Sequence, residues 1–505
     1  MKKIGLLLAL IVSFGLQAQK VTRFSSLDAF AGEFEKLVSV PKEMDGVFKD
    51  SLVPNFLAAV DFEQEDLWLD YANQLLRKRL DDAQTWEPLL RSLIYVAENE
   101  EFDRFGALLE HFYGFSKKNP SSRIRSYQNQ FYRNLVKHEF SEPGALVWKA
   151  PASMWSLSFI EGVPQFTMEM VDIVGLNGGD STMVVGVNGV FYPQEGVLNA
   201  QGGTIIWSRE GQLEKEVYAE LGEWTLEANQ TYFKADSVTL FASEFYEEPL
   251  RGVLEERVSS VNLKDARFPK FTSYRNDYIL ENLYPEVHFK GGLGVAGAQF
   301  YGTASDSALA ALKFTYKSDT VLTLKGRSFL FKDSLLSSKR VEVIAHLGTD
   351  SIYHPYCEMR YDPRMGQVRV IRFETGLGLA SFMDSYHALD MSVDQLVWNQ
   401  GTPVLSFKNL NLGSEQAAVF ESKQYFRVQR MEEIAGLQKN HPLRELRDAA
   451  YAYGYEDMPL KELIYALRMA PEEGEFFLYH MAIQGFVNFD VDAQTISLTN
   501  RLFEY

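Results

Sequence analysis

One cysteine, Cys357, occurs in 505 residues. No intramolecular disulfide can form, so stability has to come from burial whatever the redox compartment. Signatures of common catalytic classes are also missing. There is no G-x-S-x-G, Walker A, H-E-x-x-H or paired C-x-x-C pattern, which removes the readiest hydrolase, nucleotide and zinc readings. Long apolar runs are scarce too: after Ile4–Leu16 none approaches the roughly 20 residues that a membrane-spanning helix needs. Positive charge is the minority, with 50 Lys and Arg against 68 Asp and Glu and a net charge of −18. That balance opposes binding to nucleic acid or to anionic lipid surfaces, both of which call for clustered cations. Membrane association is expected only through partners.

What is present begins with MKKIGLLLALIVSFGLQAQ, in which Lys2 and Lys3 precede the apolar run and Leu16-x-Ala18 offers a cleavage site. This reads as a secretory signal over 1–19, followed by an exported, periplasmic or outer-membrane-associated chain. Gln19 and Lys20 stand where a lipoprotein cysteine would be. The whole chain is 46% apolar and 13% aromatic, enough for large cores, and its length favours more than one domain.

Residues 20–143 read as helices. In SSLDAFAGEFEKLVSV, Leu27, Phe30, Phe34 and Leu37 fall at helical spacing behind a Ser25 or Ser26 cap. Similar segments follow at short separations, which predicts a bundle or a stack of helical hairpins resembling repeats. Residues 144–429 alternate apolar and polar residues in short runs punctuated by Gly, Asn and Asp, the rhythm of strands and turns. Asp-Ser pairs recur at 180, 236, 306, 333, 350 and 384, a pairing suited to closing turns. From 430 to 505 helices return and end in a hairpin-like FVNFDVDAQTISLTN. Three short helices and a hairpin resemble a winged-helix module. Residues 441–505 hold five Lys or Arg against eleven Asp or Glu, a net of −6, which favours protein contact over DNA reading. The chain stops in strand-like sequence, as a piece cut from a longer protein would. The expected fold is therefore α+β and multidomain: an N-terminal helical bundle or hairpin stack, a large, mainly antiparallel β region built as a sandwich or β-helix-like, and a small winged-helix-like C-terminal module.

Three groupings could carry chemistry. Gly292, Gly294 and Gly297 match the dinucleotide fingerprint G-x-G-x-x-G. That motif works by leading into a helix whose N-terminus meets a phosphate, but AQFYGTASDS follows, interrupted by Gly302. A strand with close backbone packing is the expectation. The second grouping is Asp350, His354, Cys357 and Glu358; the third is Asp384, His387 and Asp390. Residues three apart on a strand face opposite ways, so the third set converges only where the backbone turns. Cys357 would act as a nucleophile only beside a base. No residue is assigned to catalysis, a cofactor or a metal. Paired carboxylates for glycoside cleavage stay open, since spacing in space is not visible in a sequence.

The stretches GGTIIWSREG (202–211), YFKADSVTL (232–240), YPEVHFKGGLGVAG (284–297), DSIYHPYCEMRYD (350–362), DSYHALD (384–390) and YHMAIQGFVNFD (479–490) together resemble a family of long exported envelope proteins of Gram-negative bacteria. The resemblance implies a helical N-terminal region joined to extended β-rich regions within a longer parent protein. It carries no assigned activity and no site residues. The phrase KADSVTLFA is also similar to periplasmic lipid-bridge proteins. The functional expectation is a non-catalytic envelope scaffold or interaction protein that docks envelope proteins. The alternatives are a carbohydrate-active or sugar-binding protein on a β scaffold, and a periplasmic lipid carrier. A glycan or lipid ligand belongs to the latter two.

Overall fold

A computed structural model describes residues 21–60, 62–99, 102–142, 144–150, 155–207, 217–243, 246, 248–259, 267–305, 308–332, 335–410, 418–422, 434, 441–452, 457–491 and 493–504. The signal-like stretch 1–19 and the Asp-Ser pairs at 306 and 333 lie outside them. Contacts divide the chain into two compact units: residues 1–250 with 254–268, and residues 251–253 with 269–505. The division falls inside the strand-rich stretch. Helices and early strands share the first unit, and later strands and terminal helices share the second.

In the first unit, α1 (Leu27–Leu37), α2 (Val53–Ala59), α3 (Glu65–Arg77), α4 (Ala83–Asn99), α5 (Phe102–Lys118) and α6 (Ser121–Tyr132) follow one another. Ser26 caps α1, its hydroxyl accepting from the Ala29 amide at 3.2 Å. The apolar stripe read from the sequence becomes the seam of a ring cluster. Phe30 meets Trp68 at 5.5 Å, Trp68 meets Phe56 at 4.4 Å and Trp86 at 6.0 Å, and Phe34 meets Trp86 at 5.4 Å. Each such ring contributes about 1.5–3 kcal/mol by leaving water, and edge-to-face pairs add to that. The Trp86 indole N–H donates to the Leu80 carbonyl at 2.9 Å, so no polar atom of that ring is stranded.

Ten strands complete this unit: β1 (Leu146–Lys149), β2 (Trp155–Ile160), β3 (Val163–Asn177), β4 (Asp180–Tyr192), β5 (Val197–Gln201), β6 (Thr204–Ile206), β7 (Val217–Glu220), β8 (Glu223–Glu227), β9 (Tyr232–Ala242) and β10 (Leu250–Arg257). Their pairing reduces them to fewer, longer arms. β4 pairs β5 with one half and β6 with the other; β5 pairs β8, β6 pairs β7, and β9 pairs both β7 and β8. Each arm therefore runs antiparallel beside its neighbours in the chain and breaks near its middle. In β3 and β4 the break is a bulge between the Met168–Gly189 and Val171–Val187 pairs. Met170 takes φ 51° and Gly186 φ 71°. The side chains of Asn188 and Asp172 accept from the freed amides of Met170 and Gly186, at 2.9 and 3.0 Å. A bulge of this kind bends its strand, and glycine at Gly186 meets the left-handed backbone without strain.

The second unit repeats the plan. It holds β11 (Lys270–Ser273), β12 (Tyr278–Tyr284), β13 (Val287–Ala296), β14 (Gln299–Thr303), β15 (Ala310–Tyr316), β16 (Asp319–Gly326), β17 (Ser328–Phe331), β18 (Leu336–Leu347), β19 (Asp350–Asp362), β20 (Gln367–Arg372), β21 (Phe382–Asp384), β22 (Leu389–Ser392), β23 (Gln395–Asn399), β24 (Leu405–Lys408) and β25 (Val419–Ser422). β13 pairs β11, β12, β14 and β15; β18 pairs β16, β17 and β19; β19 pairs β20 and β21; β23 pairs β20 and β24; and β22 pairs β21 and β25. All these ladders are antiparallel. The stacked parallel strands of a β-helix do not occur among the described residues.

Last come α7 (Pro442–Ala452), β26 (Met458–Pro459), α8 (Leu460–Ala466), α9 (Pro471–Ile483), β27 (Val487–Asp490), β28 (Thr495–Leu498) and α10 (Arg501–Glu504). β28 lies between β26 and β27 in a small antiparallel sheet. Leu446, Leu463, Leu478, Phe486 and Ile496 form its buried core. Among the described residues no helix is long and apolar enough to cross a membrane.

The segment HFKGGLGVAGAQF is strand and turn. Gly292 and Gly294 lie within β13, and Gly297 opens the turn to β14 with φ 55°. A Cβ on Gly294 would come 2.6 Å from Tyr301 Cζ and 2.8 Å from the Phe271 carbonyl. Gly294→Val should therefore lower stability by ~1–3 kcal/mol or more, read as a fall in the urea midpoint. An unchanged midpoint would contradict the packing role.

Candidate functional site

The first candidate group does not assemble as a set of four. Glu358 turns to Arg360, Nε to Oε1 at 2.6 Å, and Asp350 accepts from the Ser385 hydroxyl at 2.9 Å. His354 and Cys357 do meet, with Nδ1 and Sγ 3.1 Å apart. The ladder explains how residues three apart on a strand share a face. Val341 pairs Cys357 while Val343 pairs His354, so an extra residue is bulged out between them.

Both side chains are wholly buried. His354 Nε2 is 2.8 Å from the Ala380 carbonyl, to which it donates, while Nδ1 accepts from the Tyr356 amide at 3.0 Å. Burial pulls the imidazole down to about 3, the Ala380 bond opposing this and Arg372 reinforcing it. Burial pushes the thiol well up, with Arg372 opposing. The base that a nucleophilic cysteine needs is beside it, but both groups are held neutral in a sealed site. A thiolate–imidazolium pair there would face the cost of burying charge. The pair fastens β19 to the segment at Ala380.

In the second group the backbone does turn. Residues 385–388 link β21 to β22, with Ala388 at φ 54°. Asp384, 3% exposed, accepts from the His387 amide at 3.0 Å and pairs His387 Nδ1 at 2.7 Å. Asp390 points elsewhere, pairing Arg501 Nη2 at 2.8 Å, with both side chains largely buried. The Asp-Ser pairs at 350 and 384 bind each other across two turns: the Ser351 amide donates to Ser385 Oγ and the Ser385 amide to the Ser351 carbonyl, each at 3.0 Å. Among the described residues no three His, Cys, Asp or Glu side chains gather as a metal site.

Beside this turn opens a trough of about 1150 Å3. One wall is the β15–β16 hairpin, bringing Lys313, Lys317, Asp319 and Val321; the β18–β19 turn adds His346 and Ile352. Asp384, Leu389 and Met391 form the opposite flank with Leu405, Phe407 and Phe420 from β24 and β25. Ile352, Asp384 and Leu389 are register partners across three strands, and Met391 pairs Phe420. His346 Nε2 lies 2.9 Å from Thr323 Oγ1 on the neighbouring strand. Burial, followed by the charge of Lys313, lowers its pKa. Lys317 extends beside Tyr316, its ammonium 5.2 Å from the ring centre. Apart from Asp384 and His387, sequence reading singled out none of these residues, because they come from distant strands and form no local motif. Comparisons with protein-family models, curated proteins and solved structures found no match.

Cys357 should resist iodoacetamide in the native protein at pH 8 and react fully in denaturant, as mass spectrometry would show; fast native alkylation would refute the sealed site. His354 ionises at its usual 6.5 when unfolded and near 3 when folded. Unfolded protein therefore binds the extra proton across that window, and stability falls by ~1.4 kcal/mol per pH unit as the pH drops from 6.5 towards 3. His354→Gln should flatten that slope in urea titrations at stepped pH. Removing one partner of the Asp390–Arg501 pair should cost ~3–5 kcal/mol. A double-mutant cycle should show strong coupling, and additive effects would argue against the pair.

Proposed function

We propose that the chain is a non-catalytic, exported scaffold of the cell envelope whose terminal module docks partner proteins. The observation that carries this reading is the surface of that module. Tyr465 on α8 is 85% exposed and Phe476 on α9 is 77% exposed, while the surrounding 441–505 segment carries a net charge of −6. Large aromatic rings in water on an acidic module suit a protein partner better than a nucleic acid. The element order α7, β26, α8, α9, β27, β28, with β26 joining the terminal hairpin, supports a winged-helix-like module. Mid-arm bends in the antiparallel meander support a folded, sandwich-like β region that serves as the platform. The signal-like stretch 1–19 and the resemblance to long envelope proteins support the compartment.

A second reading, a periplasmic lipid carrier, is supported by the apolar-floored trough in the later strands. It competes with the first only if cargo, and not assembly, is the purpose of the β region.

A photocrosslinking residue placed at Tyr465 or at Phe476 in the native host should give discrete higher-mass adducts in envelope fractions. The same group at Ile279, which is 60% exposed on β12, should not. Equal labelling from all three positions, or free monomer alone, would count against docking through this module.

A further inference from the structure

We propose that the trough beside β16 and β24 binds a single-chain anionic amphiphile, with its acyl chain over Val321, Ile352, Met391 and Phe407 and its acid group at Lys313 and Lys317. This rests on the lipid-carrier reading and is independent of the scaffold reading.

Size comes first. At about 1150 Å3 the space exceeds the roughly 300–1,000 Å3 common for small-molecule sites, so it can take an elongated ligand as well as a compact metabolite.

The lining is the second. Val321, Ile352, Leu389, Met391, Leu405 and Phe407 come from four different strands and turn apolar side chains to one concavity. Ile352 and Met391 are buried while Val321, Leu389, Leu405 and Phe407 remain partly open to water. Each methylene laid on such a floor leaves water, so affinity should rise with chain length. Rings alone would suit a sugar, but a floor dominated by aliphatic side chains does not.

Charge is the third. Four groups at the rim titrate or carry charge besides the lysines: Asp319, His346, Asp384 and His387. Asp384 already accepts two bonds from His387, and His346 is held towards its neutral form by burial. Asp384 is 3% exposed and turned to His387, so the charges open to water at the mouth are two ammonium groups and the carboxylate of Asp319. Among the described residues neither Lys313 nor Lys317 has an ion-pair partner. In a chain with a net charge of −18, two exposed ammonium groups without an ion-pair partner at the mouth of an apolar trough favour an anionic head.

The test uses the full chain and the fluorescent fatty acid cis-parinarate, titrated directly and then displaced by hexadecanoate or by hexadecan-1-ol. Saturable one-to-one binding is expected, with the acid displacing the probe at least about tenfold more tightly than the alcohol. Lys313→Glu with Lys317→Glu, both exposed and thus tolerant of exchange, should erase that preference and leave the alcohol unchanged. Leu405→Arg should abolish both; should it fail to fold by circular dichroism, Phe420→Arg, at a position 55% exposed, takes its place. If acid and alcohol bind equally and the lysine variant changes nothing, the anionic head is wrong while the apolar-carrier reading survives. If no saturable probe binding occurs, or if a folded arginine variant binds normally, both fall.

Discussion

Each long arm of the β region draws its backbone hydrogen bonds from the arms just before and just after it, and everything else in the molecule is arranged around that constraint. An antiparallel meander leaves no choice of neighbour. What it leaves open is where each arm bends, and the chain decides this with bulges and left-handed residues near mid-arm. Met170, Gly186 and Ser237 take φ 51°, 71° and 55°, and side chains of Asp172 and Asn188 satisfy the amides that the interrupted ladder releases. Burial of the apolar side chains along the arms replaces the disulfides that one cysteine cannot make.

The same irregularities place the chemistry-bearing side chains. A bulge opposite Val341 and Val343 is the reason His354 and Cys357 share a face. A turn at 385–388 is the reason Asp384 and His387 touch while Asp390 reaches Arg501 on α10. Arg501, with the Arg327–Asp490 pair at 3.2 Å and the Tyr353–Asn488 contact at 3.3 Å, ties the terminal module to the strands of its own unit. Groups that look like reactive constellations along the chain thus become fasteners in space.

The legibility of the sequence followed the range of the interactions. Helix α1 could be read because Leu27, Phe30, Phe34 and Leu37 repeat every three or four residues. The strand rhythm was legible for the same reason, as was the failure of the glycine motif, whose following residues cannot start a helix. The bulge at His354 was not, since alternation along a strand places residues three apart on opposite faces. Nor was the trough, whose lining runs from Lys313 to Phe420 and converges only through ladders among strands far apart in sequence. The division into two units inside the strand-rich stretch also left no mark, because composition does not change between residues 250 and 268.

Pairing between successive arms has a kinetic side. An arm such as β4 finds its partners in β3, β5 and β6, within a few tens of residues, so little loop entropy has to be overcome at each step and ordering can advance from one end to the other. A polypeptide built this way can zip up progressively from one end. Its later strands need not wait for distant sequence before they find shelter from water.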